Sequence, residues 1–489
     1  MPILSIIVFV ILVYIMLRKN TVLGRYTDLF IISCTLKIYW FQGYFFKIGS
    51  NEVSSVANIA GYFLFLYSIY LVVSRNIKIG GNTCKTILLF VVVICVGMLC
   101  EKIFPYDGML MPEQNEQISW DGYIAGTCSM YHYVPPFSAF LHPLWEVISF
   151  SFEILVFKQI CNFSWIINPY MKIIGYLKYG IYYGYLEFVL KNIIGNLTVT
   201  YDFAAILLGV NERSVYTEAQ TRDGIFYTLQ GLTREPSHFN CFLFNLMILL
   251  LLGNVIKRMA KKRGMDVRHT YNNLTLCACL GLMLLTGGFS SVWFLFIVGC
   301  CALVLNIRES RSSMLDFLLR KKWTVFLFLI LCIMIVFAIA QNDYLYTRLS
   351  DAIAVVGFLS ESNGFAGISI LGGDSGIGST IARFVSVYEG TMIFIDRPLL
   401  GVSYGVQPLH DFSMMLLSNM GLLGSFFLYK MLISSKEKIR YDFVLIFLIF
   451  IIGGFPITIS PYGLCLYWVL IFEATTFYMN NWENDNVSL

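Results

Sequence analysis

The sequence predicts an all-α, polytopic integral membrane protein with about 12–14 transmembrane helices and two long outer loops. Hydrophobic residues make up 57% of the 489 positions and charged residues 13%, whereas soluble domains carry about 25% charged residues. Apolar runs long enough to cross a hydrocarbon core of about 30 Å recur from one end of the chain to the other. We therefore expect residues 1–489 to form a single membrane domain.

The N-terminal apolar run has no basic residue ahead of it and no small-residue cleavage site, so we expect a first span there instead of a removable signal peptide. The segment 137–193 is the hardest to divide, because charged residues, among them Glu146, Glu153, Lys172, Lys178 and Glu187, interrupt it. The predicted spans are 3–17, 29–46, 57–74, 86–104, 137–158, 172–193, 237–256, 272–287, 290–306, 324–341, 412–431, 443–459 and 462–479.

Basic clusters follow every second predicted span, which is the positive-inside pattern. This pattern places the N-terminus outside the cytoplasm and the C-terminus inside it. The longer outer segments are then about 105–136, 195–235 and 342–411. The basic clusters are Arg18-Lys19, residues 74–85, 257–269, 308–322 and 434–440.

The last two outer segments contain no lysine, and all of their basic residues are arginines. Carboxylates outnumber these arginines, which argues against a diffuse basic surface for nucleic acid. Arginine without lysine indicates planar, bidentate recognition of carboxylate or phosphate. The alternative is a set of structural ion pairs within the loops. The arginines are Arg213, Arg222, Arg234, Arg348, Arg383 and Arg397.

The stretch 222–244 closes an outer segment and opens a predicted span, with Pro236 at a first-turn position. Arg222, Arg234, Glu235 and His238 would lie near the depth of lipid headgroups. The alternative is a well-capped helix with an interfacial ion pair.

The stretch 383–405 predicts a helix from Arg383 to Ile395, which Pro398 stops. We expect this helix to lie along the membrane surface or to cover a cavity, and a plain amphipathic surface helix is the alternative. Gly401 and Gly405 follow, and they would allow a close approach of backbone.

His410 and Asp411 immediately precede the predicted span 412–431. This histidine is a candidate base, although a lone interfacial histidine is commonly a headgroup or capping residue. Gly421 and Gly424 would let the span pack closely against a neighbour. The histidine neighbourhoods are too scattered to argue for a metal, and we expect no cofactor.

The stretch RPLLGVSYG (397–405), followed by a histidine and by a span ending in GLLGSFFLYK, resembles the O-antigen polymerase and O-antigen ligase superfamily of bacterial envelope glycosyltransferases. Two further features are similar to the same group. They are the adjacent spans divided by LLTGGFSSVWF (284–294) and the Arg-Glu-Pro-Ser sequence at the start of a span. The resemblance covers roughly residues 220–432.

The resemblance implies an all-helical, GT-C-like glycosyltransferase that transfers an undecaprenyl-pyrophosphate-linked glycan on the periplasmic face of the bacterial inner membrane. It implies that His410 acts as base, that Arg383 binds pyrophosphate and that Glu235 is the acidic residue of the Glu-Pro motif. It also implies a chain-length regulator protein as partner. Ligases place an arginine after the turn between the adjacent spans, whereas Val292 follows Ser291 here, and this favours a polymerase.

The expected reaction is attack of a sugar hydroxyl on an anomeric carbon while pyrophosphate leaves. His410 would take the proton, with Asp411 or another carboxylate orienting it, and Glu235 is the second candidate base. Arginines at headgroup depth would neutralise the leaving pyrophosphate, with Arg383 first and Arg222, Arg234 and Arg397 as further candidates.

Three alternatives to the polymerase remain open at this point. The first is an O-antigen ligase that moves the chain to lipid A-core. The second is a lipid-linked oligosaccharide flippase or other transporter, which should place charges at the bilayer midplane. Only Lys37 and the segment 137–193 favour that interpretation. The third is a structural scaffold of the envelope.

Overall fold

The structure is a computed structural model, and its description covers the following residues. They are 2–18, 20–39, 47–48, 51–52, 55–78, 80–108, 134–197, 199, 203, 206–207, 227–233, 236–262, 264, 272–286, 289–309, 350, 353, 375–407, 409 and 411–432.

The regular secondary structure of the described part is helical except for one antiparallel pair of two-residue strands, β1 (Lys47–Ile48) and β2 (Asn51–Glu52). A 3₁₀ turn (Phe137–Phe140) precedes α5, and a π turn (Val189–Ile193) extends α6. The helices are α1 (Ile3–Leu17), α2 (Val22–Ile38), α3 (Val56–Val73), α4 (Gly81–Ile103), α5 (Leu141–Ile160), α6 (Phe163–Phe188), α7 (Pro236–Lys262), α8 (Asn272–Leu285), α9 (Phe289–Glu309), α10 (Ser375–Asp396) and α11 (Phe412–Leu432).

Five helical stretches in the described part are long and apolar enough to cross a membrane. Shorter apolar helices lie at Ile3–Leu17, Asn273–Leu285 and Trp293–Ala302. The prediction of an all-α membrane protein is therefore confirmed at this level. The five stretches are Val56–Val73, Thr83–Ile103, Phe137–Ile160, Pro236–Asn254 and Ser413–Leu432.

The predicted span 29–46 is wrong at its beginning, because α2 starts at Val22 and ends at Ile38. The hydroxyl of Thr21 caps this helix by accepting a hydrogen bond from the Gly24 amide at 3.1 Å. Arg25 and Asp28 lie in its first turns and lower the local hydropathy, so a hydropathy window misses the true start.

The segment 137–193 forms two helices, α5 and α6, which meet at residues 161–162. Asn162 starts α6 by accepting a hydrogen bond from the Trp165 amide at 2.9 Å. Helix α6 begins nine residues before the predicted boundary and contains Pro169 in its second turn.

The helices pack in a continuous series, and the core runs along it. The series is α10, α11, α4, α5, α3, α2, α6 and α7, with α8 and α9 against α7 and with α1 beside α2 and α3. Tyr39 links three helices, because its ring stacks on Phe242 with centroids 4.7 Å apart and its hydroxyl donates to the carbonyls of Tyr176 and Leu177. Phe30 stacks on Phe157 at 5.2 Å in the same core.

The predicted spans 324–341, 443–459 and 462–479 lie outside the described residues. Most of the predicted outer segments 105–136 and 195–235 also lies outside them. The segment 342–411 is described only from Ser375 onward, apart from two isolated residues.

Candidate functional site

The described candidate residues gather at one end of the helix bundle, which we call the site end. Side-chain contacts bring the C-terminal ends of α2 and α4 together with the N-terminal ends of α3 and α5. Two segments lie here: residues 397–411, which we call the Arg397 turn, and residues 227–233, which we call the anchor segment.

Helix α10 confirms the helix predicted between Arg383 and Ile395, and it begins earlier, at Ser375. Gly390 on α10 packs against the Arg397 turn and α11. A Cβ at this position would come 2.6 Å from Leu409 Cδ1 in the turn and 3.2 Å from Met414 Cβ in α11. Arg383 lies within α10, and its side chain is outside the described residues. The predicted pyrophosphate role of Arg383 therefore stays a prediction.

Arg397 fastens the end of α10 to the end of α4. Its Nη1 donates to Glu101 Oε2 at 2.6 Å, and its Nη2 donates to the carbonyls of Phe104 (2.9 Å) and Pro105 (2.8 Å). The guanidinium also lies 5.4 Å from the ring centroid of Tyr106. In this structure the guanidinium holds two parts of the protein together, and its predicted contact with substrate stays a prediction.

Tyr106 strengthens the same junction from the α4 side. Its hydroxyl donates to Asp396 Oδ2 at 2.8 Å, and its amide donates to Glu101 Oε1 at 2.9 Å. Burial, together with the Asp396 carboxylate, raises the pKa of the Tyr106 hydroxyl. The hydroxyl therefore remains a proton donor to Asp396 across physiological pH.

The Arg397 turn inserts into a break in α11. Gly421 leaves the helical conformation (φ 61°, ψ −169°), and the carbonyls of Pro398 and Leu399 accept the amides of Leu422 (2.8 Å) and Leu423 (3.1 Å). In return, the Val402 amide donates to the Ser418 carbonyl at 2.8 Å. Backbone groups released by the break are thus paired within the protein, as membrane depth requires.

Asn419 holds the other half of the turn against α11. Its Oδ1 accepts the amides of Val406 (3.2 Å) and Gln407 (2.9 Å), and its Nδ2 donates to the carbonyls of Gln407 (2.8 Å) and Met415 (2.8 Å). The side chain is fully buried. One amide therefore satisfies four backbone groups, which fixes the turn on the helix.

Asp411 caps α11 through its Oδ1, which accepts the Met414 amide at 2.8 Å. Burial raises the pKa of Asp411, and the amides of Met414 and Ser413 oppose that rise. His410 lies outside the described residues. The predicted His410–Asp411 pairing therefore stays a prediction, while the capping role of Asp411 is observed.

Tyr404 joins the Arg397 turn to α5 by donating to Glu146 Oε2 at 2.9 Å. The preceding residue, Ser403, is 1% exposed and has a left-handed backbone (φ 79°). Its hydroxyl has no hydrogen-bond partner among the described residues. A strained, buried polar residue of this kind is typical of segments whose conformation serves a site.

The anchor segment is held by the end of α6. Glu187 accepts the amides of Gln230 and Gly231, and Lys191 pairs with Glu187 at 2.8 Å. The anchor segment leads directly into Arg234 and Glu235, which lie outside the described residues, as does Arg222. The roles predicted for these three residues stay predictions.

A buried hydroxyl–amide cluster lies beside the start of α7. Thr286 donates to Asn240 Oδ1 at 2.6 Å, and its hydroxyl lies 2.8 Å from Ser291 Oγ. This cluster occupies the predicted turn between the adjacent spans. It joins the starts of α7 and α9 to the end of α8.

In the packing series, α3 and α2 lie between α5, which contacts the Arg397 turn, and α6, which holds the anchor segment. The prediction that the three candidate stretches share one depth stays a prediction, and the side chains of His410, Glu235 and Arg383 lie outside the described residues.

Sequence analysis missed the residues that hold these segments: Glu101, Asn419 and the pair Glu187–Lys191. A signal for the pair was present, since an i,i+4 acid–lysine spacing inside an apolar run is unusual and marks a functional position. Within the described ranges, no three His, Cys, Asp or Glu side chains gather as a metal site.

Glu389 should make the stability of α10 depend on pH. Burial raises the pKa of this half-buried carboxyl from 4.5 to about 7, so the folded state binds its proton more tightly than the unfolded state. Its stabilising contribution is complete below pH 4.5 and is lost as the pH rises through 7. We expect the thermal midpoint of the detergent-solubilised protein to fall across that window, and to fall less in Glu389→Gln.

Asp107→Asn, which changes an exposed acid near the end of α4, serves as the control and should keep the wild-type pH dependence. Equal slopes for the wild type and Glu389→Gln would contradict the assignment.

Comparison of the chain with protein-family models, with curated proteins and with solved structures finds no match.

Proposed function

We propose that this protein is a glycosyltransferase that polymerises undecaprenyl-pyrophosphate-linked oligosaccharide repeat units on the periplasmic face of the bacterial inner membrane. One observation carries the proposal. At the site end, two segments are each fixed by a buried carboxylate, and each leads directly into a candidate pair, Arg234-Glu235 or His410-Asp411.

A transfer reaction requires that the backbone leading into Arg234-Glu235 and His410-Asp411 is held in a fixed position. Catalytic groups must be held in a defined geometry before substrate arrives, because misplacement by about 1 Å can cost a hundredfold in rate. The Arg397 turn is held by side chains from α4, α5 and α11, and its last described residue, Asp411, caps α11. In the sequence His410 stands between Leu409, which is fully buried, and that capping aspartate.

In the proposed reaction an acceptor sugar hydroxyl attacks the anomeric carbon of the donor. A new glycosidic C–O bond forms, and the bond from the anomeric carbon to the pyrophosphate oxygen breaks, so that oxygen leaves with the electron pair. His410 takes the hydroxyl proton, with Glu235 as the second candidate. Arg383, with Arg222 and Arg234, neutralises the charge that develops on the leaving group.

Arg397 has a different role in this proposal. Its guanidinium is occupied by Glu101 and two backbone carbonyls, so it holds the turn that carries His410. The other proposed partners are the lipid bilayer and a chain-length regulator protein.

The first test is a lipopolysaccharide gel from a deletion strain complemented with wild type or with His410→Ala. We expect the deletion strain to show core carrying a single repeat unit, and only the wild type to restore the ladder. Core without any repeat unit would contradict the polymerase and favour the ligase or the flippase. A full ladder from His410→Ala would move the base assignment to Glu235.

Arg383→Lys should abolish the ladder even though it keeps the charge, because lysine lacks the fork that binds two phosphate oxygens. Arg25→Lys is the matched control, since Arg25 donates to the Arg18 carbonyl near the start of α2, away from the Arg397 turn. The comparison uses membrane-normalised amounts of each variant. A normal ladder from Arg383→Lys would remove Arg383 from the pyrophosphate site.

A flippase for lipid-linked oligosaccharides is the second candidate, and one observation favours it. Glu153 lies in the middle of α5, is 9% exposed and lies within electrostatic reach of Lys37. Buried ionisable residues within a membrane mark transport pathways in many transporters. A flippase predicts core without any repeat unit in the deletion strain, so the same gel separates the two functions.

A further inference from the structure

A buried ion pair lies at the end of α6. Glu187 and Lys191 are 1% and 2% exposed, and Lys191 Nζ lies 2.8 Å from Glu187 Oε1. Both side chains also contact the backbone of the anchor segment. Glu187 Oε2 accepts the amides of Gly231 at 2.6 Å and Gln230 at 3.2 Å, and Lys191 donates to the Thr228 carbonyl at 3.2 Å.

The π turn brings a third contact to the same segment. Its hydrogen bonds run from residue i to i+5, as between the Val189 carbonyl and the Ile194 amide at 3.0 Å, which widens the helix here. Asn192 follows Lys191 on this turn and accepts the Tyr227 amide at 2.6 Å. Single-turn π bulges of this kind occur frequently at functional sites.

The anchor segment is also fixed from the α7 side. Gly231 has a positive φ of 56°, and a Cβ at this position would overlap the ring of Phe239. Thr233 Oγ1 donates to the Gln230 carbonyl at 2.6 Å and closes the turn. Glu187, Lys191 and Phe239 therefore fix the anchor segment, and Arg234 and Glu235 follow it immediately in the sequence.

Stability alone gives no reason for a charged pair at this place. Removing two charges from water is costly, and apolar side chains of similar volume commonly serve a buried position as well or better. What an apolar pair cannot do is accept two backbone amides and donate to a carbonyl at fixed points. The ion pair therefore specifies the position of the anchor segment.

We propose that Glu187 and Lys191 are a positioning pair that holds the anchor segment, which immediately precedes Arg234 and Glu235 in the sequence, in the position needed for transfer. This inference rests on the proposed function, because it assigns the pair to the same reaction. Neither residue contacts the substrate, and both act through the anchor segment.

The test combines a structural readout with a kinetic one on Glu187→Gln, Lys191→Met and the double variant, purified in lipid nanodiscs. Hydrogen exchange of the peptide covering 227–233 reports the anchor segment without any reference to activity. Glu187→Gln keeps an oxygen that can accept the amides of the anchor segment but removes the carboxylate that pairs with Lys191, and the double variant restores local neutrality. Lys102→Met is the control, because Lys102 lies at the end of α4 and donates to the Pro135 carbonyl.

We expect both single variants to exchange faster in this peptide. The double variant should recover the folded yield but not full protection, and its kcat should fall by about a hundredfold with a KM within a few-fold of wild type. Lys102→Met should match the wild type in exchange and in kcat. This set of results would support the positioning role.

Two results would overturn the inference in different ways. Unchanged exchange in all three variants would show that the pair does not hold the anchor segment. Faster exchange with wild-type kcat in the double variant would show that the pair holds the segment only for stability. If the deletion strain keeps its ladder, the proposed function fails, and the positioning role for transfer fails with it. The exchange data would still show whether Glu187 and Lys191 hold the anchor segment.

Discussion

Gly421→Ala is expected to prevent stable assembly of α11 with the Arg397 turn. Residue 421 has φ 61°, and a Cβ there would overlap the carbonyl group of Leu399. The left-handed backbone costs a non-glycine residue about 1–2 kcal/mol, and forcing the turn away adds about 1–3 kcal/mol. The thermal midpoint of the detergent-solubilised protein and its monodisperse fraction on size exclusion measure the effect.

Gly175→Ala is the matched control for that experiment. Gly175 lies inside α6, and a Cβ there would meet nothing within 4 Å. Because alanine favours a helix interior over glycine by about 1 kcal/mol, this variant should be as stable as wild type or slightly more stable. A Gly421→Ala protein that melts with the control would mean that α11 is continuous through residue 421.

Arg397 is the second position at which a large loss is expected. Arg397→Met would leave Glu101 buried without its cation, and loss of one partner of a buried pair costs about 3–5 kcal/mol. Arg397→Lys should recover only part of this, because one nitrogen cannot reach the Glu101 carboxylate and both carbonyls as the fork does. Thermal midpoints of the two variants give the order.

The double variant Arg397→Met/Glu101→Gln separates this stabilising role from substrate binding. Neutralising Glu101 should restore much of the thermal midpoint lost in Arg397→Met, since the uncompensated charge is gone. If Arg397 acted mainly on substrate, its single variants would keep the wild-type midpoint and change only KM. That outcome would support the predicted role of Arg397 in binding pyrophosphate.

The membrane helices could be predicted from the sequence because their signal is a local property. Long apolar runs must form helices in lipid, where each backbone group needs an internal partner. The spans predicted to start at 3, 57, 272, 290 and 412 accordingly begin close to the observed helix starts. Those starts are Ile3, Val56, Asn272, Phe289 and Phe412. The start of α2 was missed because a hydroxyl cap, and not hydropathy, sets it.

The contacts that join the Arg397 turn to α4 and α5 could not be predicted, because each joins residues far apart in the chain. Glu101 and Arg397 carried no mutual signal in the sequence, and Arg397 was read as a substrate ligand on its loop composition alone. The glycines at 401 and 421 did indicate a close approach of backbone. The sequence does not show that Gly401 lies against the backbone of Ser418 and that Gly421 lies against the backbone of Leu399. The sequence pattern singled out Arg383, Glu235 and His410, whose side chains lie outside the described residues.

The junction between Glu101 and Arg397 spans 296 positions of sequence. During synthesis α4 therefore enters the membrane long before the residues that complete its end have left the ribosome, and in that interval the Glu101 carboxyl has no Arg397 to meet. Contacts of such high sequence separation form late and leave intermediates exposed to quality-control proteases. We expect a chain that stops before residue 397 to be cleared from the membrane more rapidly than the complete chain, because it lacks the arginine that completes this junction.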